Sequence, residues 1–325
     1  MRLPVVSFAL VLFLAACGGD PSDGGRSTGG SSGGTTSDGA PLSPPPASPG
    51  TPASSTSGEP PQPPSSPPAP PPPPKVNVTN ETLDVSGTTR AFVLAVPRNR
   101  VPSKAYPLVL VLHGDGGDGV SMRAAMPMDD VTGEDAIVAY PSGLSSTWRL
   151  YQPAAENPDF AFIGSLVGSL VTRFGIDSTR VFATGFSSGA FMSNQIACRQ
   201  PSLLRAIASH GGGAPAEPED GAASSWPNGF TQCAGQTTGV AALIVHGTDD
   251  GVVGGASGQY SARYWGYVNG CGTEKQAAQP AFPAPCTRQA SCPNEHPVVL
   301  CDIPGLGHSL WGQAMQTTWS FFKSF

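Results

Sequence analysis

The pentapeptide Gly185-Phe186-Ser187-Ser188-Gly189 sets a serine between two glycines, directly after the apolar run Val181 to Thr184 and directly before a helix-compatible segment. A serine hydroxyl becomes a useful nucleophile only when a neighbouring base takes its proton, and a tight strand-to-helix turn exposes such a hydroxyl. Two later segments supply candidates for the base and for the group that orients it. His246-Gly247-Thr248-Asp249-Asp250 follows an apolar run ending at Val245; either aspartate could act as the acid, the other then capping the turn. Gly305-Leu306-Gly307-His308 follows the run Val298 to Ile303 and carries a histidine on a glycine-rich loop. The chain order serine, acid, histidine is one that acyl transfer through a covalent serine intermediate uses.

Such chemistry also needs donors for the oxyanion of the tetrahedral intermediate. The N–H of Ser188, at the start of a helix, is one candidate, and the glycine-rich stretch His113-Gly114-Asp115-Gly116-Gly117 is the source of a second. A carboxylate facing an oxyanion would repel it, so Asp115 is expected to offer its backbone N–H and turn its side chain away. Trp148 and Trp311 are candidates for lining a site that takes an aromatic acyl group. His113 and His246 are expected to hydrogen-bond within their own turns.

The elements that must position these residues are legible as alternating apolar runs and helical patterns. Two short strands are expected around the turn Ser86-Gly87, at Leu83–Val85 and Phe92–Val96. The continuous runs at 108–112, 136–139, 180–184, 206–208, 241–245 and 298–300 have the composition of strands buried on both faces. Helical spacing covers 160–174 with Asp159 as N-cap and Gly175 as the stop, then 188–199, 258–268 and 309–322. This alternation predicts an α/β fold with a mostly parallel central sheet covered by helices on both faces. Ligands bind such sheets beyond the carboxyl ends of the strands, where the three segments lie.

The N-terminus reads differently. Met1-Arg2 and the apolar run Leu3 to Leu14 have the form of an export signal too short to span a bilayer, ending in Leu14-Ala15-Ala16-Cys17. That ending resembles a bacterial lipoprotein signal, which implies residues 1–17 as signal and Cys17 as the lipidated residue. Residues 18–74 are almost entirely Gly, Ser, Thr, Ala and Pro, a composition that cannot offset ordering entropy, and they are expected to form a disordered tether. Residues 75–325 are long enough for one catalytic domain. With 17 basic and 23 acidic residues, a net charge of −6 and no basic cluster, nucleic acid is not an expected partner. Membrane association is expected only through the lipid, and the protein is expected to be a monomer.

Besides Cys17 there are six cysteines, Cys198, Cys233, Cys271, Cys286, Cys292 and Cys301, an even set that favours disulfides in an exported chain and leaves their pairing open. Their spacing does not suit zinc, and neither a metal nor another cofactor is expected.

The stretches L-H-G-D-G-G (112–117), D-S-T-R-V-F-A-T-G-F-S-S-G (177–189), H-G-T-D-D (246–250), W-G-Y-V-N-G-C (265–271) and G-L-G-H-S (305–309) resemble the secreted feruloyl esterase and acetylxylan esterase group of α/β-hydrolases, which includes polyhydroxybutyrate depolymerases. The resemblance implies Ser187, Asp250 and His308 as the catalytic triad, since the family acid falls at the second aspartate. Two departures are visible: depolymerases of the group often carry cysteine at the position of Asp115, and the family often has Trp-Pro soon after the histidine, where this chain has Leu310-Trp311.

The leading functional expectation is therefore hydrolysis of feruloyl or acetyl esters on xylan and related cell-wall polysaccharide, with an ester-bearing polymer or a small ester as substrate. Polyhydroxybutyrate depolymerisation stands second, because no appended polymer-binding module is legible. A non-catalytic, polymer-binding surface lipoprotein is the third reading, and the three triad candidates argue against it.

Overall fold

The computed structural model describes residues 74–200, 202–216, 225–233 and 239–325. The signal, Cys17 and the tether up to residue 73 lie outside the described residues.

The chain opens with a hairpin, β1 (Val76–Val85) and β2 (Thr88–Pro97), paired antiparallel around Ser86-Gly87 and longer than the two short strands expected. Next come β3 (Leu108–Leu112), α1 (Gly119–Ala125), α2 (Met128–Thr132), β4 (Ile137–Pro141), α3 (Pro158–Phe174), β5 (Val181–Phe186), α4 (Ser188–Arg199), β6 (Ala206–His210) and β7 (Ala241–Gly247). The chain continues with α5 (Ala256–Val268), the short strands β8 (Lys275–Ala277) and β9 (Thr287–Gln289), then β10 (Val298–Ile303) and α6 (Ala314–Phe322). All ten strands form one sheet in the order β1-β2-β4-β3-β5-β6-β7-β10-β9-β8. The six strands from β4 to β10 in this order run parallel, and antiparallel pairs extend both edges. This is the α/β architecture the alternation predicts.

Strand periodicity divides the core between the two faces of the sheet. Leu108, Leu110 and Leu112 face one layer with Phe160, Ile163 and Leu170 of α3, Met192 and Ile196 of α4, and Trp265 of α5. Val109 and Val111 face the other with Met122, Met126 and Met128 near α1 and α2, and Trp319, Phe321 and Phe322 of α6. The strands that carry the chemistry are apolar on both sides because both sides are covered.

Three helix starts differ from expectation, α5 beginning two residues early at Ala256. The N-cap of α3 is Asn157, whose Oδ1 accepts from the N–H groups of Asp159 and Phe160, with Pro158 at the first helical position. Asp159 is instead buried in an ion pair with Arg90 of β2, 2.5 Å away. The last helix begins at Ala314 rather than Ser309. Residues 309–313 form irregular turns containing Gly312, a poor helix former, while Leu310 and Trp311 pack against the core from that loop. The edge strands β8 and β9 were not anticipated, being three exposed or half-exposed residues each without an apolar pattern.

The six cysteines pair as Cys198–Cys233, Cys271–Cys292 and Cys286–Cys301. The first ties the end of α4 to the segment before β7, and the third ties the loop before β9 to β10.

The Arg90–Asp159 pair anchors the segment between β4 and α3. The Arg90 guanidinium also donates to the carbonyls of Ser142 and Pro158 and lies 4.2 Å from the centroid of the Phe162 ring. Asp159 Oδ2 accepts the N–H of Arg149. Removing one partner strands a buried charge, whereas replacing both with apolar groups does not. D159N is expected to lower stability by ~3–5 kcal/mol, and R90M/D159L by clearly less, as read from urea denaturation midpoints.

Candidate active site

The strands β5, β7 and β10, with β6 between the first two, deliver the three chemical segments to the carboxyl-terminal end of the parallel strands. Ser187 sits between β5 and α4 with φ 53° and ψ −120°, a left-handed conformation that costs a non-glycine residue about 1–3 kcal/mol. Its neighbours explain the turn. A Cβ on Gly189 would lie 2.1 Å from the Leu112 carbonyl oxygen, and one on Gly185 would lie 2.5 Å from the backbone of Gly189. Only glycine at both positions lets α4 start this close to β3 and β5. The N–H of Ser187 is fixed by the carbonyl of His210 at the end of β6, 2.9 Å away.

His308 reaches the serine from the loop after β10. Its Nε2 is 2.9 Å from Ser187 Oγ and its Nδ1 is 2.8 Å from Asp250 Oδ2. Asp250 follows β7, and its other oxygen accepts the N–H groups of Val252 and Val253, both at 2.9 Å. The same aspartate thus meets the histidine and caps its own turn, while Asp249 accepts only the Thr248 hydroxyl and is exposed. The division of labour between the two aspartates, one acting and the other capping, does not hold. Burial raises the Asp250 carboxyl, but the bonds from His308, Val253 and Val252 outweigh it and hold the pKa below the usual carboxylate range. Asp250 is therefore ionised and can stabilise an imidazolium at His308.

Beside the serine, the N–H groups of Asp115 and Ser188 donate to no other group among the described residues. A Cβ at Gly114 would lie 3.5 Å from Ser187 Cβ, so the glycine-rich loop passes against the nucleophile. The Asp115 carboxylate is engaged by the Thr147 hydroxyl at 2.5 Å, and the Gly116 N–H by the carbonyl of Ser146. A cavity of about 660 Å³ opens next to these donors, lined by Asp115, Ser188, Leu144, Trp148, Arg149 and Tyr151 among others.

Trp148 contributes to the cavity wall and is otherwise buried, its Nε1 donating to the His113 carbonyl. Trp311 is not among the residues lining that cavity; it is half-buried against the core layer that includes Trp319. His113 does bond within its own turn, Nδ1 meeting the Gly114 carbonyl at 2.7 Å, but it also accepts the Gly143 N–H on Nε2 at 2.8 Å. Burial lowers its pKa and keeps the ring neutral, as the accepting nitrogen requires. It thereby clamps the loop after β3 to the segment after β4, a role that only a contact across 30 residues reveals. His246 makes no hydrogen bond within its turn.

A family model described as Phospholipase/Carboxylesterase matches residues 157–284. Feruloyl esterase D of Neurospora crassa is 28% identical over 75% of this chain and 85% of its own length. Feruloyl esterase C of Emericella nidulans is 27% identical over 76% of this chain and 88% of its own. The solved acetyl xylan esterase from Aspergillus awamori superposes with a TM-score of 0.61 at 19% identity, covering 76% of this chain and 99% of that one. The fold is that of an α/β-hydrolase. Within that fold class the chain is similar to feruloyl and acetyl xylan esterases, and it is a carboxylic ester hydrolase.

His210 lies under this site, fully buried, with Nε2 2.9 Å from Thr318 Oγ1. Burial pushes its pKa from 6.5 down to about 4. The unfolded chain therefore binds a proton before the native one does, so this contribution to stability is complete above about pH 6.5 and is lost as pH falls toward about 4. In that window the loss is roughly 1 kcal/mol per pH unit. Denaturation midpoints measured across it should fall less steeply for H210N than for the wild type.

Proposed function

We propose that this chain is an exported serine esterase that removes feruloyl or acetyl groups from xylan and related plant cell-wall polysaccharide through an acyl-serine intermediate. The observation that carries the reading is the hydrogen-bonded series Ser187, His308, Asp250 beside two unengaged backbone N–H groups. The named activities of the relatives from Neurospora crassa and Emericella nidulans support the acyl class.

In this mechanism His308 Nε2 takes the Ser187 proton as Oγ attacks the ester carbonyl carbon. The new oxyanion is bound by the N–H groups of Asp115 and Ser188, and Asp250 balances the charge on His308. The tetrahedral centre collapses, the sugar hydroxyl leaves with the proton held on His308, and the acyl group stays on Ser187. Water then attacks the acyl-serine with His308 again as base and releases the acid. The cavity beside Asp115 and Ser188 is the site we assign to the acyl group, with Trp148 and Tyr151 on its wall. An aromatic ring of the ferulate kind can pack there against an aromatic wall.

Export is supported by the N-terminal signal pattern and by three disulfides, which persist in oxidising compartments. We assign Cys17 as the lipid attachment point and residues 18–74 as the tether to the envelope membrane. Among the described residues no helix is long and apolar enough to cross a membrane.

S187A is expected to lower kcat on feruloyl and acetyl esters by a factor on the order of 10⁴ or more and to abolish labelling by a fluorophosphonate. Undiminished turnover in that variant would overturn the mechanism. A panel of feruloyl, acetyl and hydroxybutyryl esters should show the highest kcat/KM on the first or second, and exclusive turnover of the third would replace the polysaccharide assignment with a polyester one.

A further inference from the structure

A second imidazole stands behind the catalytic carboxylate. His246, the penultimate residue of β7, is fully buried, and its Nε2 lies 3.3 Å from Asp250 Oδ2. Neither of its ring nitrogens completes a hydrogen bond. The preceding positions on β7, Leu243, Ile244 and Val245, are buried and apolar, so an apolar residue would fit the strand pattern here without leaving two polar atoms unpaired. α5 packs on the ring from above: a Cβ at Gly258 would fall 2.3 Å from His246 Cβ and 3.3 Å from Nδ1, and the imidazole cannot swing that way. Across the sheet its register partner is Asp302 on β10, whose Oδ2 is held by Gln259 of α5 at 2.8 Å and whose buried Oδ1 has no partner.

The carboxylate itself shows what is missing. Asp250 Oδ1 is saturated by the N–H groups of Val252 and Val253, but Oδ2, the oxygen that His308 leans on, has only the His308 bond. A carboxylate oxygen accommodates two donors, and the second direction is occupied by His246 Nε2. Hydrogen bonds among catalytic groups tighten when substrate is bound.

We propose that His246 is a positioning residue for catalysis: its Nε2–H donates to Asp250 Oδ2 in the substrate-bound enzyme and holds that oxygen in line with His308 Nδ1. The proposal rests on Ser187, His308 and Asp250 being the catalytic set. A neutral imidazole suits the task better than lysine or arginine, because it donates a hydrogen bond without offsetting the carboxylate charge that His308 needs. Burial favours that neutral form against the pull of Asp250, Asp302 and the Gly254 backbone.

The test compares wild type, S187A, H246M, which removes the donor, and H246Q, which keeps an N–H donor, on a soluble aryl ester. A proton spectrum of the low-field His308 Nδ1–H signal is recorded alongside. H246M is expected to lower kcat roughly 10- to 100-fold, the worth of a hydrogen bond to a charged group, with KM unchanged and the low-field signal shifted or lost. H246Q is expected to recover most of kcat and to keep the signal. Wild-type kcat and an unmoved signal in H246M, with S187A inert, would overturn the role of His246 alone. Full turnover in S187A would overturn the catalytic reading beneath it. If H246M does not fold, H246Q still decides: retained kcat and signal support the proposal, and a folded H246Q that loses both overturns it.

Discussion

The Leu112 carbonyl oxygen would stand 2.1 Å from a Cβ on Gly189, and the backbone of Gly189 would stand 2.5 Å from one on Gly185. The closeness of α4 to β3 and β5 that these numbers express is the constraint on which the rest of the site depends. It forces the residue between the glycines into a left-handed conformation, which aims the Ser187 hydroxyl out over the end of the sheet. It also starts α4 at Ser188, so the first free N–H of the helix points to where an oxyanion would form. The strain at Ser187 is local, and the surrounding contacts determine it several times over: the His210 carbonyl holds its N–H, and both flanking strands are buried on both faces. A sheet with a looser edge could not sustain it.

Much of this was legible because it obeys short-range rules. Continuous apolar runs marked β3 to β7 and β10, and the pattern G-x-S-x-G gained meaning only from lying between such a run and a helix. What escaped depended on partners distant in sequence. Asp159 looked like a helix cap, but its carboxylate belongs to Arg90, 69 residues away, and the cap fell to Asn157. His113 looked like a turn residue, but its second nitrogen meets Gly143. The strands β8 and β9 have no apolar face to announce them, since they extend an edge and are exposed. The Cys286–Cys301 pair depends on the order of the sheet, because β9 must run beside β10 before Cys286, just ahead of β9, can meet Cys301.

The site separates into two layers with different anchors. The reacting groups stand at the ends of β5, β7 and β10, and their spacing is set by the parallel register of the sheet, which ties His246 to Asp302 and Gly247 to Ile303. The wall of the cavity comes instead from the irregular segment between β4 and α3, which has no ladder to hold it. That segment is pinned at six residues: Ser142 and Arg149 by the Arg90–Asp159 pair, Gly143 by the His113 ring, Ser146 by the Gly116 N–H, Thr147 by the Asp115 carboxylate, and Trp148 by the carbonyl of His113. Two of these pins belong to one residue, His113, which also stacks on Trp148 with ring centroids 4.7 Å apart.

This arrangement has a consequence for specificity. Between the pins, Leu144, Leu150 and Tyr151 touch the cavity without touching the triad. Their side chains can differ without moving Ser187, His308 or Asp250, because no hydrogen bond connects the two sets and the sheet register fixes the second. The pins themselves cannot differ so freely. Loss of the His113 side chain would release the Gly143 N–H and remove the ring stacked on Trp148, while the bond from Trp148 to the His113 carbonyl would remain. The reacting groups are thus tied to the strands and the cavity wall to the loop, and the neutral imidazole of His113, together with the Asp115–Thr147 and Gly116–Ser146 bonds, joins that wall to the end of β3.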